Sequence, residues 1–151
     1  KEIYKYYSEP SLLDAKYETY RFFWNSSFNG TKVIRIENKN NAFIVTKKFF
    51  TSHEDSIAET SNFELSKDSW EIIVDSLKVL NFWTYKTSID RTGLDGSSWS
   101  LEGFDPKGNE CTMKNYHKVY RWSPSDTTFI KMCKLLYNIE KPLPPPKLKI
   151  N

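Results

Sequence analysis

The sequence is poor in the residues that build most metal and catalytic centres. It holds two histidines and two cysteines in 151 residues. His53 sits in the polar stretch TSHEDS and His117 in an alternating aromatic stretch, too few and too scattered for a zinc or iron ligand set. Cys111 and Cys133 lack metal-ligand spacing, and each falls where an apolar residue is expected. They read as two buried free thiols, with one disulfide as the alternative. The stretch DRTGLDG lacks the alternating oxygen ligands of a calcium loop. There are only five glycines, most of them at turns, and they form no phosphate-cradling loop. No serine or cysteine stands in a nucleophile elbow. No metal and no cofactor is therefore expected. No apolar run approaches about 18 residues, so no membrane-spanning segment is expected. The net charge is +3, with basic residues scattered among acidic ones, which is unlike the dense patch of a nucleic-acid binder.

What the chain does have is rings. Aromatic residues make up 16% of the sequence against 38% hydrophobic overall, so large flat side chains must fill much of the core. The segments 17–24, 31–38, 42–50 and 59–65 are rich in β-branched and aromatic residues. They are separated by turn compositions such as NSSFNG and NKNN, and they predict a meander of antiparallel strands. The period then changes. From Ser66, the residues Trp70, Ile73, Val74, Leu77 and Leu80 fall on one helical stripe ending near Asn81. Two strands follow, SSWSLEG and ECTMKNYHKVYRW, joined through DPKGN. A second helix is expected with Ser123 as its N-cap, Pro124 at its first position and Asp126 completing a capping box. The expected fold is α+β: an antiparallel meander, a helix, a hairpin and a helix, with the helices on one face of the sheet. Residues 1–140 read as one domain, and 141–151 as a proline-rich tail that can be neither helix nor central strand.

Alternation along YHKVYRW points His117, Val119 and Arg121 one way and Tyr116, Lys118, Tyr120 and Trp122 the other. His117 and Arg121 then stand about 13 Å apart on one face. Glu102, across the hairpin, is the carboxylate expected to meet one of them. As an enzyme, the chain would use Glu102 to orient His117 as a general base, with Arg121 holding an anionic group. As an ordinary sheet, the same residues would be cross-strand ion pairs. Asp95 in LDG reads as turn chemistry. Tyr4, Tyr6, Tyr7, Tyr17 and Tyr20 crowd the first twenty residues and offer interface or core rings in equal measure.

Three segments, YRFFWNSSF, LDGSSWSLEG and YHKVYRWSPSD, together resemble the signature of a bacterial envelope or lipoprotein-type domain family with no established activity. The resemblance implies a single exported domain and makes Arg21, Trp24, Asp95, Trp99, Glu102, Tyr116, His117, Arg121 and Trp122 its motif positions. The chain starts KEIYKYY without an initiator Met, which reads as a removed leader or a trimmed terminus. The expected setting is the periplasm or cell envelope, with the cytoplasm as alternative. The expected function is non-catalytic binding of another protein, for which an immunity-type inhibitor of a secreted toxin is one concrete form. The candidate binding residues are Tyr4, Tyr7, Tyr20, Arg21, Asp95, Glu102, His117 and Arg121. The alternatives are a small hydrolase using Glu102 and His117, and a carbohydrate- or peptide-binding module.

Overall fold

The structure, a computed structural model, describes residues 7–26, 28–51, 57–89, 96–109 and 112–143, with residues 57 and 58 described in their backbone alone. Tyr4, His53, Asp95, Cys111 and most of the proline-rich tail lie outside the described residues. Among the described residues, six strands form one antiparallel sheet: β1 (Thr19–Ser26), β2 (Gly30–Lys39), β3 (Ala42–Phe50), β4 (Ile57–Leu65), β5 (Ser97–Phe104) and β6 (Tyr116–Trp122). Two α-helices accompany it, α1 (Lys67–Val79) and α2 (Thr127–Tyr137). The spatial order is β4-β3-β2-β1-β5-β6. The first strand is thus interior, flanked by β2 on one side and β5 on the other.

Local chemistry sets the turns. Asn40 and Asn41 both adopt positive φ, 53° and 69°, between the paired residues Lys39 and Ala42. That is the two-residue turn whose twist suits a hairpin, and asparagine tolerates it better than any residue but glycine. Between β5 and β6, residues 112–115 are not strand, although the alternating sequence predicts one there. Gly108 and Met113 take positive φ, and Asn109 N–H donates to Lys114 O while Met113 N–H donates to Asn109 O. This compact loop starts the strand at Tyr116.

The helix starts differ in how well the sequence announces them. Ser66 caps α1 as expected, its Oγ accepting from Ser69 N–H. The expected cap of α2, Ser123, does not cap it. Asp126 does, its carboxylate accepting from the N–H groups of Thr128 and Phe129. Ser123 instead takes φ 41° and closes the β5–β6 ladder, its N–H donating to Ser97 O and its Oγ accepting from Ser97 N–H. A carboxylate at a helix N-terminus is stabilised by the helix dipole as well as by the hydrogen bonds.

One face of the sheet is apolar. Tyr20, Phe22, Ile34, Ile36, Val45, Leu101 and Val119 share a buried cluster with Trp70, Ile73, Val74 and Leu77 of α1 and Phe129, Met132, Cys133 and Leu136 of α2. Rings hold much of it: Phe43 stacks on Trp70 at 5.3 Å, and Phe22 meets Trp99 edge-on at 5.6 Å. Cys133 is buried as a free thiol, and burial pushes its pKa up, which leaves it inert. The opposite face carries a smaller cluster of Phe23, Val33 and Phe50. Over it runs the N-terminal segment 7–15, with the ring of Tyr7 edge-on to Phe50 at 4.6 Å.

Candidate functional site

Strand alternation divides the polar candidates between the two faces. In β1, Arg21 faces away from Tyr20 and Phe22, and its partners in register are Arg35 on β2 and Glu102 on β5. Glu102 pairs with Lys118 across the hairpin, while His117 pairs with Gly103. Glu102 and His117 are one step apart in that ladder and project to opposite sides of the sheet. The expected Glu102–His117 contact is therefore not formed, nor is one between Glu102 and Arg121. A one-residue step reverses the face of every side chain in a strand.

The outer face holds a network of ions. Arg21 is fully buried and Glu102 is 1% exposed. Arg21 donates from Nε and Nη2 to Glu102 Oε1 at 3.1 and 2.9 Å. The other oxygen, Oε2, accepts from the Tyr116 hydroxyl at 2.6 Å. On β2, Arg35 Nε donates to Glu37 Oε1 at 2.9 Å. Between the two arginines lies Glu9, from the N-terminal segment. Its carboxylate accepts from Arg35 Nη1 and from Lys48 Nζ, each at 2.6 Å, and stands 3.5 Å from Arg21 Nη1. Burial works against the Arg35 charge, but the hydrogen bonds and charges of Glu9 and Glu37 outweigh it and hold its pKa above the ordinary value. The exposed Lys39 adds an ammonium 3.9 Å from Glu37 Oε2, and the three buried charges, Arg21, Glu102 and Glu9, each have a partner of opposite sign.

His117 and Arg121 belong to the other face. His117 is 8% exposed; its Nε2 lies 2.8 Å from Tyr85 O, and its ring is edge-on to Phe82 at 5.3 Å. Burial lowers its pKa against the opposing pull of that hydrogen bond. A carbonyl can only accept, so the neutral ring carries its proton on Nε2. This histidine clamps the chain following the 3₁₀ turn Phe82–Thr84. Arg121 works alongside it, donating to the carbonyls of Lys86, Thr87 and Tyr120 at 2.7, 3.2 and 2.7 Å. Its guanidinium lies 5.6 Å from the rings of both Tyr85 and Phe129. Tyr85 in turn donates to the carboxylate of Asp126. Burial, and then that bond, push the Tyr85 phenol up to about 12. Tyr20, expected as a binding ring, is 1% exposed and donates to Glu18 Oε1 at 2.7 Å. It is a core residue. Tyr7 is half-buried on the outer face.

Glu9, Arg35 and Lys48 were not among the expected site residues. Glu9 lies outside any periodic stretch. Arg35 and Lys48, however, alternate onto the same face as Arg21, and for Arg35 the pattern is visible in the half-polar strand TKVIRIEN.

The open surface lies elsewhere. Between α1 and α2 runs a groove of about 960 Å³ whose floor and walls include Ile72, Val79, Leu80, Leu135 and Ile139. Ile72 is 64% and Val79 79% exposed. The rim is mixed, with Asp75 on α1, Lys131 and Lys134 on α2, and Glu140 beyond it. Among the described residues no group of three or more His, Cys, Asp or Glu could hold a metal ion, and no helix is long and apolar enough to cross a membrane. Compared with family models, with curated proteins and with solved structures, the chain finds no match.

Proposed function

We propose that this chain is a non-catalytic binding protein that holds another protein through the groove between α1 and α2. The observation that carries the reading is the exposure of Ile72 and Val79, seven residues apart on a helix otherwise charged on its outer side. Exposed apolar residues grouped in a concave site mark a recognition surface, whereas single scattered ones do not. A groove bounded by two helices accepts an amphipathic helix. The partner helix would place apolar residues over Ile72 and Val79, acidic ones toward Lys131 and Lys134, and a basic one toward Asp75. An immunity-type inhibitor of a secreted toxin, held in the periplasm or envelope, is the concrete form we favour.

The test is co-expression with the product of the neighbouring gene, with wild-type chain and the double variant Ile72→Asp/Val79→Asp run in parallel. The reading expects a complex with the wild type and its loss in the double variant, with thermal unfolding of the double variant unchanged. No complex, or one that the double variant keeps, contradicts it.

A further inference from the structure

We propose that the open edge of the sheet, β4, pairs antiparallel with β4 of a second copy of this chain, centred on Ser61 and closed by ion pairs between Lys47 and Glu59. This goes beyond the groove reading and does not depend on it, since the edge and the groove are broken by separate substitutions.

The two edges of the sheet are finished differently. At β6, Tyr120 N–H donates to Thr87 O at 2.8 Å and Arg121 donates to the carbonyls of Lys86 and Thr87, so a strap of chain covers that edge. At β4, among the described residues, no hydrogen bond reaches the side turned away from β3. An open row of amides and carbonyls is a template for another strand, and sheets usually blunt it with lysine, proline or a bulge. Residues 57–65 contain no lysine, arginine or proline. The bulge in the β3–β4 ladder falls at the start of β4, where the register shifts between Phe49 and Phe50, and residues 59–65 then pair without interruption. Glu59, Thr60, Asn62 and Glu64 are exposed.

The charges select a second copy as the occupant. Glu59, Ser61 and Phe63 share the helix face, opposite Phe49, Lys47 and Val45 of β3. The Lys47 ammonium lies over the ring of Phe63, 5.8 Å from its centre and on the side away from Glu59. Among the described residues neither Lys47 nor Glu59 forms an ion pair. Lys32 and Glu140 line the same pocket, Lys32 donating to the Tyr137 hydroxyl at 3.1 Å. Two copies of β4 related by a two-fold axis through Ser61 place Glu59 of one opposite Phe63 of the other, about 5 Å across the ladder, beside the Lys47 ammonium. Symmetry makes the contact twice. In this register Thr60 stands opposite Asn62, and no like charges meet. A slip of one residue would put the helices of one copy on the other side of the joint sheet, and a slip of two carries Glu59 off Phe63.

The experiment is sedimentation velocity on the full chain at up to about 0.5 mM, because an interface of two short edges lies at the small end of the size range. The inference expects a monomer–dimer equilibrium in the wild type. Thr60→Lys/Asn62→Lys sets lysines opposite one another at exposed positions and should abolish the dimer, with far-ultraviolet circular dichroism unchanged. Glu59→Lys brings two ammonium groups together at each end and should weaken it at least about tenfold. The charge reversal Glu59→Lys/Lys47→Glu should restore it. Ile72→Asp/Val79→Asp should leave it as in the wild type. A wild type that stays monomeric throughout overturns the inference. So does a dimer that a folded Thr60→Lys/Asn62→Lys keeps, or one lost in Ile72→Asp/Val79→Asp, which would put the contact in the groove. Should the double lysine variant not fold, the charge reversal decides: no weakening in Glu59→Lys, or no recovery in Glu59→Lys/Lys47→Glu, overturns it.

Discussion

Consecutive residues of β1 enter two unlike environments. Tyr20 and Phe22 join the large buried cluster shared with the helices. Arg21, between them, enters a network of charged side chains over which the N-terminal segment closes. The apolar face is held by many contacts of similar strength, so losing one weakens the fold by degrees. On the ionic face Arg21, Glu102 and Glu9 are buried against one another's charges, and removing one strands another. The helix face is therefore robust and graded, and the outer face is specific and nearly all-or-none.

Breaking the outer face should cost most. Arg21→Ala is expected to destabilise by about 3–5 kcal/mol in urea unfolding, since Glu102 is left buried and uncompensated. The apolar pair Arg21→Met/Glu102→Leu should recover most of that loss. A double variant as unstable as the single one would mean that packing, not charge, holds the face. On the helix face the sharpest single change is Gly103→Ala. An added methyl would stand 2.7 Å from Phe82 Cε1 and 3.0 Å from Tyr20 Cε1, and overpacking against two buried rings costs about 1–3 kcal/mol. Asp126→Ala should cost about 0.5–2 kcal/mol, the range of a lost N-cap, whereas Ser123→Ala should leave α2 intact in helical circular dichroism.

The pH dependence separates the faces again. Burial lowers the His117 pKa, so the unfolded chain takes up a proton that the folded chain refuses. Stability from this residue is full above its unfolded value of about 6.5 and falls as the pH drops from there toward the folded pKa. His117→Gln should flatten that part of the stability–pH curve; an unchanged slope would place the titration elsewhere. The smallest effect is expected in the groove, where Ile72→Asp/Val79→Asp should shift stability by no more than about 0.5 kcal/mol at each exposed site.

How much of this was legible in the sequence follows from which patterns are local. The α+β class and the antiparallel sheet were, because period 2 gives way to period 3.6 at Ser66 and turn residues punctuate the rest. The facing of Trp99 and Leu101 against Glu102 was also legible, since alternation needs only the strand. The pairing of Glu102 was not. It depended on register: residues 112–115, which alternation alone assigned to strand, are not in it, and Lys118 stands opposite Glu102. Glu9 was invisible for a different reason: its three cations come from strands 12, 26 and 39 residues away in the chain, and its own segment has no periodicity to mark it. The N-cap of α2 was misplaced because Ser123 and Asp126 are both good caps, and tertiary contacts at Ser97 and Tyr85 decided between them.

The separation of the two polar groups onto opposite faces is tested most directly by following the His117 imidazole by NMR across pH in the wild type and in Glu102→Gln. The structure predicts a ring protonated on Nε2, a pKa below the ordinary histidine value, and a titration that Glu102→Gln moves by no more than a few tenths of a unit. A wild-type pKa above about 6.5 that falls by a unit or more in Glu102→Gln would put the two side chains in contact and contradict it.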